Sequence, residues 1–365
     1  FFTDPTRSSP VDVFVVSAAG ESTLKELLER LRNDDDYSDL PNLALYAGGR
    51  WEFTPQAPDP YHEVKMDWSA FPLPPGRVYV PVQAGEGCGF QCTFCDFRGL
   101  RPIHLRTAQS IVDEIRTIPP KDGLRRVYFT DDNLFSSRKR ARDICQAIID
   151  SGMHVRWRGM VRISIVDEEI AALMAESGCL EVLLGIESGD PEILNNMGKS
   201  ASPEQILAGL HHLTQTGINT KSTFIVGYPG ETEATLQSTV DLLNAYPTDG
   251  PALHRYLFFR FGVLPLSKVA SPESRERFAL RGYGYDWTHA TMTSDEAASH
   301  METLYDRLKV ELSPNYVLEV PELPGMAIDD LKRTSVLRNQ LTRQQRGSSG
   351  SAPEADLWNQ LEGCF

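Results

Sequence analysis

The stretch GEGCGFQCTFCDF, residues 85–97, decides how this chain is read. Three of the six cysteines, Cys88, Cys92 and Cys95, fall here in the order C-x-x-x-C-x-x-C, directly after the apolar run RVYVPVQ at 77–83. Three thiolates are a soft donor set that suits zinc or an iron-sulfur cluster. A closed structural zinc site asks for four ligands, and a closed cubane cluster for four cysteines. The nearest histidine, His104, is nine residues past Cys95, and the remaining cysteines lie in separate segments. Either a distant residue completes a zinc knuckle, or the position left open is the purpose of the site. Gly85, Gly87 and Gly89 supply the backbone freedom to wrap a loop around a cluster.

Outward from this loop, strand and helix patterns alternate about every 30 residues, the spacing of βαβ units. Strands are predicted in RVYVPVQ, LRRVYFTD, VRWRGMV, LEVLLGI, TKSTFIVG and RYLFFRFG. Helices are predicted near 107–118, 137–151, 165–178, 203–216 and 231–245. The expected fold is α/β, a partial (βα)6 TIM-like barrel over 77–262 with functional loops at the strand C-terminal ends. Upstream, VDVFVVSAAGESTLKELLERL at 11–31 reads as one strand and one helix, a truncated Rossmann-like remnant within 1–60, followed by a Pro-rich connection from Pro55 to Pro75. Downstream, 263–345 is expected to be an α-rich C-terminal cap with helices at 294–309 and 326–344. RGSSGSAPE opens a flexible tail over 346–365.

The composition of the 365 residues, 41% hydrophobic and 24% charged, is that of an ordinary globular protein, without an apolar run near the roughly 18 residues of a membrane span. A membrane role is therefore not expected. A formal net charge of -14 argues against nucleic acid as a partner and for a small-molecule substrate. Cysteines scattered outside the 88–95 group do not make a secreted disulfide framework, which places the chain in a reducing cytoplasm. Cys145, on a periodic helical segment, reads as core packing.

CGFQCTFC resembles the signature of the radical SAM enzymes, C-x-x-x-C-x-aromatic-C directly after the first barrel strand, with Phe94 in the aromatic slot. The resemblance covers 77 to about 262. It implies a 4Fe-4S cluster held by Cys88, Cys92 and Cys95, with the open iron chelated by the amino and carboxylate groups of S-adenosylmethionine (SAM). An electron from an external reductant of flavodoxin or ferredoxin type then cleaves SAM to a 5'-deoxyadenosyl radical, which abstracts hydrogen from the substrate. It further implies cofactor-binding roles by position. YFTDDNLF puts Asp131 and Asp132 where many members carry Gly-Gly-Glu, although a turn and helix cap explain one of these acids equally well. LLGIESGD puts Glu187 at the end of the fourth strand, and LNNMGKS puts Lys199 at a basic position near the SAM carboxylate; a solvated lysine is the plainer alternative. STFIVGYPGET puts Gly227 and Gly230 beside the adenine, with Glu231 as a first-turn acid. Alternation in VRWRGMVRIS puts Arg156, Arg158 and Met160 on one face, and Arg162 with them if no bulge intervenes. An interior arginine needs an anionic partner, either SAM, an acidic substrate or a structural carboxylate.

Several segments are similar to the subgroup with an N-terminal cobalamin-binding, or cobalamin-binding-like, domain. The implied activity is a cobalamin-type radical SAM enzyme, a methyltransferase of secondary metabolism, with cobalamin as a cofactor of the full-length protein. A cobalamin-independent dehydratase, epimerase or decarboxylase is the alternative within the family. A non-catalytic Fe-S electron carrier or zinc-binding module is the alternative outside it. In YGYDWTHATMTSDEA, 283–297, Trp287 and His289 read as packing residues before substrate contacts.

Overall fold

The computed structural model describes residues 11–17, 20–57, 65–74, 78–97, 103–314 and 328–347. The chain divides into two compact units, Phe1–Lys65 with Leu100–His104, and Met66–Gly99 with Leu105–Phe365. In the first, β1 (Val13–Val15) and α1 (Glu21–Asn33) follow the apolar run and its helix entry. Where the sequence reading sees a single strand, the structure adds a hairpin. Strand β2 (Leu43–Ala47) pairs antiparallel with β1 and with β3 (Arg50–Phe53). Gly48 and Gly49, with φ of 59° and 81°, supply the left-handed two-residue turn that matches strand twist. Leu27, Leu40 and Leu43 form the small core, with Val13, Val15 and Leu45 packed against it.

The second unit carries the expected repeat. Strand β4 (Val80–Val82) is followed by two-residue strands β5 (Gly85–Glu86) and β6 (His104–Leu105), then α2 (Ala108–Thr117), β7 (Arg125–Phe129), α3 (Arg138–Asp150) and β8 (Val155–Val161). The chain continues through α4 (Glu168–Glu176), β9 (Cys179–Glu187), α5 (Pro191–Asn196), α6 (Pro203–Gln215), β10 (Asn219–Val226), α7 (Glu233–Asn244) and β11 (His254–Arg260). The helix starts are chemically marked. Thr107, Ser137 and Asp167 side chains accept backbone N–H groups of the first turns of α2, α3 and α4, and Ser202 and Thr232 form capping boxes on α6 and α7.

The six expected strands all pair in parallel and lie in the order β4-β7-β8-β9-β10-β11; among the described residues their sheet is an open arc. A seventh strand, β15 (Ser313–Pro314), adds parallel to β11. Its two residues are too few to show a sequence period. Between them, α8 (Pro272–Phe278) leads into a three-stranded antiparallel sheet of β12 (Arg281–Tyr283), β13 (Asp286–His289) and β14 (Met292–Thr293). Helices α9 (Ser294–Leu304) and α10 (Ile328–Gly347) occupy the predicted helical segments of this cap, but the small sheet is an addition to the α-rich region expected. The expected tail beyond Gly347, with Cys364, and part of the Pro-rich connection lie outside the described residues.

Parallel sheets are ordinarily covered on both faces. Here β8 and β10 alternate strictly. Val155, Trp157, Gly159 and Val161, like Thr220, Ser222, Phe224 and Val226, are buried, while their intervening neighbours are half-buried or exposed. One face therefore packs under helices and the other faces the space inside the arc. Trp157 anchors the covered side, edge-on to Phe129 and Phe135 at 5.7 and 6.0 Å, with its indole N–H donating to Ser177 at 3.0 Å.

A buried ion pair fixes where β4 leaves the sheet. Arg106 Nη1 donates to Glu114 on α2 at 2.6 Å and to the Gln83 carbonyl at 2.6 Å, and both pair members are at least 97% removed from solvent. Trp68 Nε1 donates to the second Glu114 oxygen at 3.2 Å. Removing one partner strands a buried charge, so Glu114→Ala should lose about 3–5 kcal/mol. A guanidinium unfolding curve reads this as a lower midpoint at unchanged slope, and a midpoint equal to wild type would show the pair to be dispensable.

Candidate active site

The cluster loop, residues 84–97, has almost no regular structure of its own, and other elements hold its backbone. At its start, Asp131 at the end of β7 accepts the Ala84 N–H at 2.9 Å, and Arg140 from α3 donates to the Ala84 carbonyl at 2.9 Å. Burial pushes the Asp131 carboxyl up to about 6, against the backbone N–H groups of Ala84 and Gly85, which hold it down. In its middle, Thr93 N–H donates to the Met197 carbonyl at 2.9 Å, and the Thr93 carbonyl accepts Val269 N–H at 2.8 Å. The Thr93 hydroxyl donates to the Asn196 carbonyl and lies 2.7 Å from the Tyr228 hydroxyl. Gly198, at φ 72°, lies so close that a Cβ there would sit 2.7 Å from the Gln91 carbonyl oxygen.

Cys88, Cys92 and Cys95 are free thiols, all half-buried on this loop. Burial pushes the Cys95 thiol up, with smaller contributions from Cys92, Asp96 and Cys88 in the same direction. The three thiols lie within eight residues of one another on the same loop. Among the described residues, no three His, Cys, Asp or Glu side chains close on one ion position. A 4Fe-4S cube instead takes one thiolate per iron. The donor set and its tethered loop fit that group.

Arg162 follows β8 immediately. Its Nη1 donates to Cys92 Sγ at 3.3 Å, and its guanidinium lies 3.8 Å from the Phe90 ring centre. Glu187 ends β9 in a left-handed conformation, φ 76°, which costs a non-glycine residue strain and recurs at functional sites. Lys199 donates to the Gly185 carbonyl at 2.8 Å and pairs with Glu187 at 3.4 Å, while Thr223 donates to the other Glu187 oxygen. Burial raises the Glu187 pKa, with Lys199, Thr223 and Arg162 opposing it. Lys199 is thus a half-buried, paired lysine and also lies 5.7 Å from the Phe94 ring centre. A small cavity is lined by Arg162, Ser164, Gly185, Ile186 and Lys199.

The remaining candidates are disposed differently. Asp132 is exposed at the end of β7, one residue past the inward-turned Asp131. Gly227 has a left-handed φ of 90°, but the space over it is filled by protein: a Cβ would sit 2.6 Å from Trp287. Its carbonyl lies 3.0 Å from His289 Nε2, and its N–H donates to Glu231. Trp287 stacks on His289 at 5.0 Å and donates to the Phe261 carbonyl, so this pair packs the cap against β10 and β11. Gly230, also left-handed at φ 98°, has only ordinary contacts. Cys145 is buried on α3, its thiol pushed up to about 12 by burial. Arg140, Thr93 and Tyr228 carry no sequence signal, because each acts through contacts dozens of residues away.

Residues 82–243 match the model of the radical SAM superfamily. An uncharacterized methyltransferase of Pyrococcus horikoshii is 28% identical over 249 residues, 64% of this chain and 53% of that protein. The hopanoid C-2 methylase of Rhodopseudomonas palustris is 31% identical over 47% of this chain and 36% of its own length. The chain thus spans only about a third to a half of these relatives. Among solved structures, the radical SAM methyltransferase TsrM of Kitasatospora setae, with cobalamin and a 4Fe-4S cluster bound, shares the fold at a TM-score of 0.56 and 20% identity, over 71% of this chain and 54% of that one. No helix among the described residues is long and apolar enough to cross a membrane.

Glu231 is fully buried, and burial pushes its carboxyl up to about 8 despite the hydrogen bond from Gly227. A carboxyl raised in the folded state binds its proton more tightly there, so its contribution is complete below about pH 4.5 and is lost as pH rises to about 8. The melting temperature should fall across that window, and Glu231→Gln should flatten the fall. An unchanged slope in the variant would show that Glu231 titrates normally.

Proposed function

Because this chain carries a radical SAM domain over residues 82–243, we propose that it is the catalytic part of a radical SAM enzyme that transfers a methyl group with cobalamin as a second cofactor in the full-length protein. The observation that carries the reading is the three-cysteine loop tethered at the C-terminal mouth of the parallel arc, with Arg162 against Cys92. Methyl transfer and cobalamin rest on the likeness to the relatives named above, and are proposed for the whole protein.

Cys88, Cys92 and Cys95 would hold a 4Fe-4S cluster. When bound, that cluster with SAM and an external one-electron reductant supplies reductive cleavage of the sulfonium. The residues of this chain bind, orient and exclude water. Arg162 brings a fixed positive charge beside the Cys92 sulfur, where it can also face a carboxylate. Lys199 and Glu187 hold each other and the Gly185 carbonyl in one arrangement, which makes them positioning residues for the cofactor's amino acid end. Asp132 offers an exposed carboxylate at the neighbouring strand end for an ammonium group. Asp131 acts through the loop by fixing Ala84. Phe94 and Phe90 cover the two cations on the protein side. The arc shelters reactive species from solvent.

Anaerobic reconstitution of the full-length protein with iron, sulfide, hydroxocobalamin and methyl-labelled SAM tests this reading. Wild type should bind four irons and corrin, cleave SAM under reduction and move the label to an acceptor. Cys92→Ala should lose cluster iron and reductive cleavage together, whereas Cys145→Ser, in the helical layer, should keep both. A Cys92→Ala protein with full iron and full cleavage would refute the cluster assignment, and a label that stays on SAM products would refute methyl transfer.

A further inference from the structure

The inner face of the arc is not uniformly lined. Below the mouth it is apolar. Tyr128 on β7, Met160 on β8 and Phe259 on β11 are 47%, 36% and 46% exposed, an unusual exposure for large hydrophobic residues on strands of a central sheet, and Leu183 and Leu257 are half-buried on the same face. Nearer the strand N-termini the face turns ionic. Arg158, Glu181, Lys221 and Arg255 sit side by side on four adjacent strands: Arg158 is in register with Glu181, and Lys221 with Arg255. The Glu181 carboxylate is shared, receiving Lys221 at 3.2 Å through one oxygen and Arg255 through the other.

Among the described residues, the cations of this row outnumber its one carboxylate. Three cations face one carboxylate, and Arg158 is stacked 4.4 Å from the Tyr79 ring centre. Arg255 is 5% exposed, yet among the described residues its Nε and Nη1 have no hydrogen-bond partner, and neither has Arg158 Nε. A guanidinium has five N–H groups, and leaving them buried and unpaired costs free energy. Arg126 and Arg156, in register one pleat further toward the strand N-termini, add positive charge to the same face. A group that would satisfy all of this carries negative charge and several acceptor oxygens.

We propose that the floor of the arc is a binding site for the anionic end, carboxylate or phosphate, of the substrate, held between Arg158, Lys221 and Arg255. The inference rests on the reading of the arc as the chamber of a radical SAM enzyme and deepens it by naming the substrate class. Glu187 lies six positions along β9 from Glu181, on the order of 20 Å of strand. The substrate is therefore an elongated amphiphile, with its acid on the floor, its apolar body along Met160, Leu183 and Phe259, and its reacting carbon at the mouth. Glu181 aligns the cations and opposes the ligand.

That last feature separates a binding site from a merely structural ion cluster. Octanoate and octyl phosphate, with octanol as neutral control, can be titrated calorimetrically into the full chain under anaerobic conditions. Wild type should bind at least one of the two anions and bind octanol at least about tenfold more weakly, and the preferred anion tells carboxylate from phosphate. Arg255→Gln should weaken the anion about tenfold or more, whereas Glu181→Gln should tighten it. Should Arg255→Gln fail to fold, Arg158→Gln provides the same test on a less buried cation. Equal affinity in wild type and the arginine variants, weakening in Glu181→Gln, or no anion binding at all would overturn the proposal. The titration needs neither reductant nor SAM. A chain that binds the anions but never cleaves SAM keeps this site and loses the radical reading, and a chain that cleaves SAM but ignores the anions loses only this site.

Discussion

Everything proposed for this chain depends on how an irregular loop is held. Residues 84–97 make few hydrogen bonds to themselves, and a backbone left unpaired inside a fold is costly. Their partners come from four directions: Asp131 and Arg140 at Ala84, Met197 and Asn196 at Thr93, Tyr228 across from it, and Val269 from the segment after β11. The loop is thereby fixed by the ends of several strands and helices at once. Three thiols on such a loop are presented in one arrangement, and ordering them has already been offset by folding.

The same arc separates two kinds of chemistry along its axis. At the mouth, Arg162, Lys199 and Glu187 cluster with the cysteine loop, and the strained backbone of Glu187 is held by Lys199 and Thr223. At the floor, Arg158, Lys221 and Arg255 outnumber Glu181. Burial and the neighbouring Arg158 push the Arg255 pKa down to about 10, the expected consequence of like charges crowded in a poorly solvated place. Between the two lies apolar surface open to the chamber. An arc polar at both ends and apolar between is suited to a molecule that must be oriented lengthwise before it reacts.

Much of this was legible in the sequence, for identifiable reasons. The βα repeat shows because β8 and β10 alternate cleanly and because Ser202 and Thr232 mark their helices. The cysteine loop shows because its ligands are local, three donors within eight residues. What stays hidden is contact at long range: nothing near Asp131 announces that it will hold Ala84, and nothing near Gly227 announces Trp287. The β2–β3 hairpin is a different case. Its Gly48-Gly49 turn between strand-like segments is a local signal, which a reading intent on a single Rossmann strand passes over. The floor cluster is intermediate. Arg158, Glu181, Lys221 and Arg255 share a face by strand parity, but only the register across four strands brings them together.

The central claim is that Cys88, Cys92 and Cys95 hold a cluster with one iron left open to SAM. Electron paramagnetic resonance of the reduced, reconstituted chain, recorded with and without SAM, tests it most directly. Coordination at the open iron should change the signal of the cluster when SAM is added, and a SAM analogue lacking the amino group should change it less. A spectrum identical in the presence and absence of saturating SAM would contradict the claim, because it would mean that the fourth iron is already closed or that SAM does not reach it.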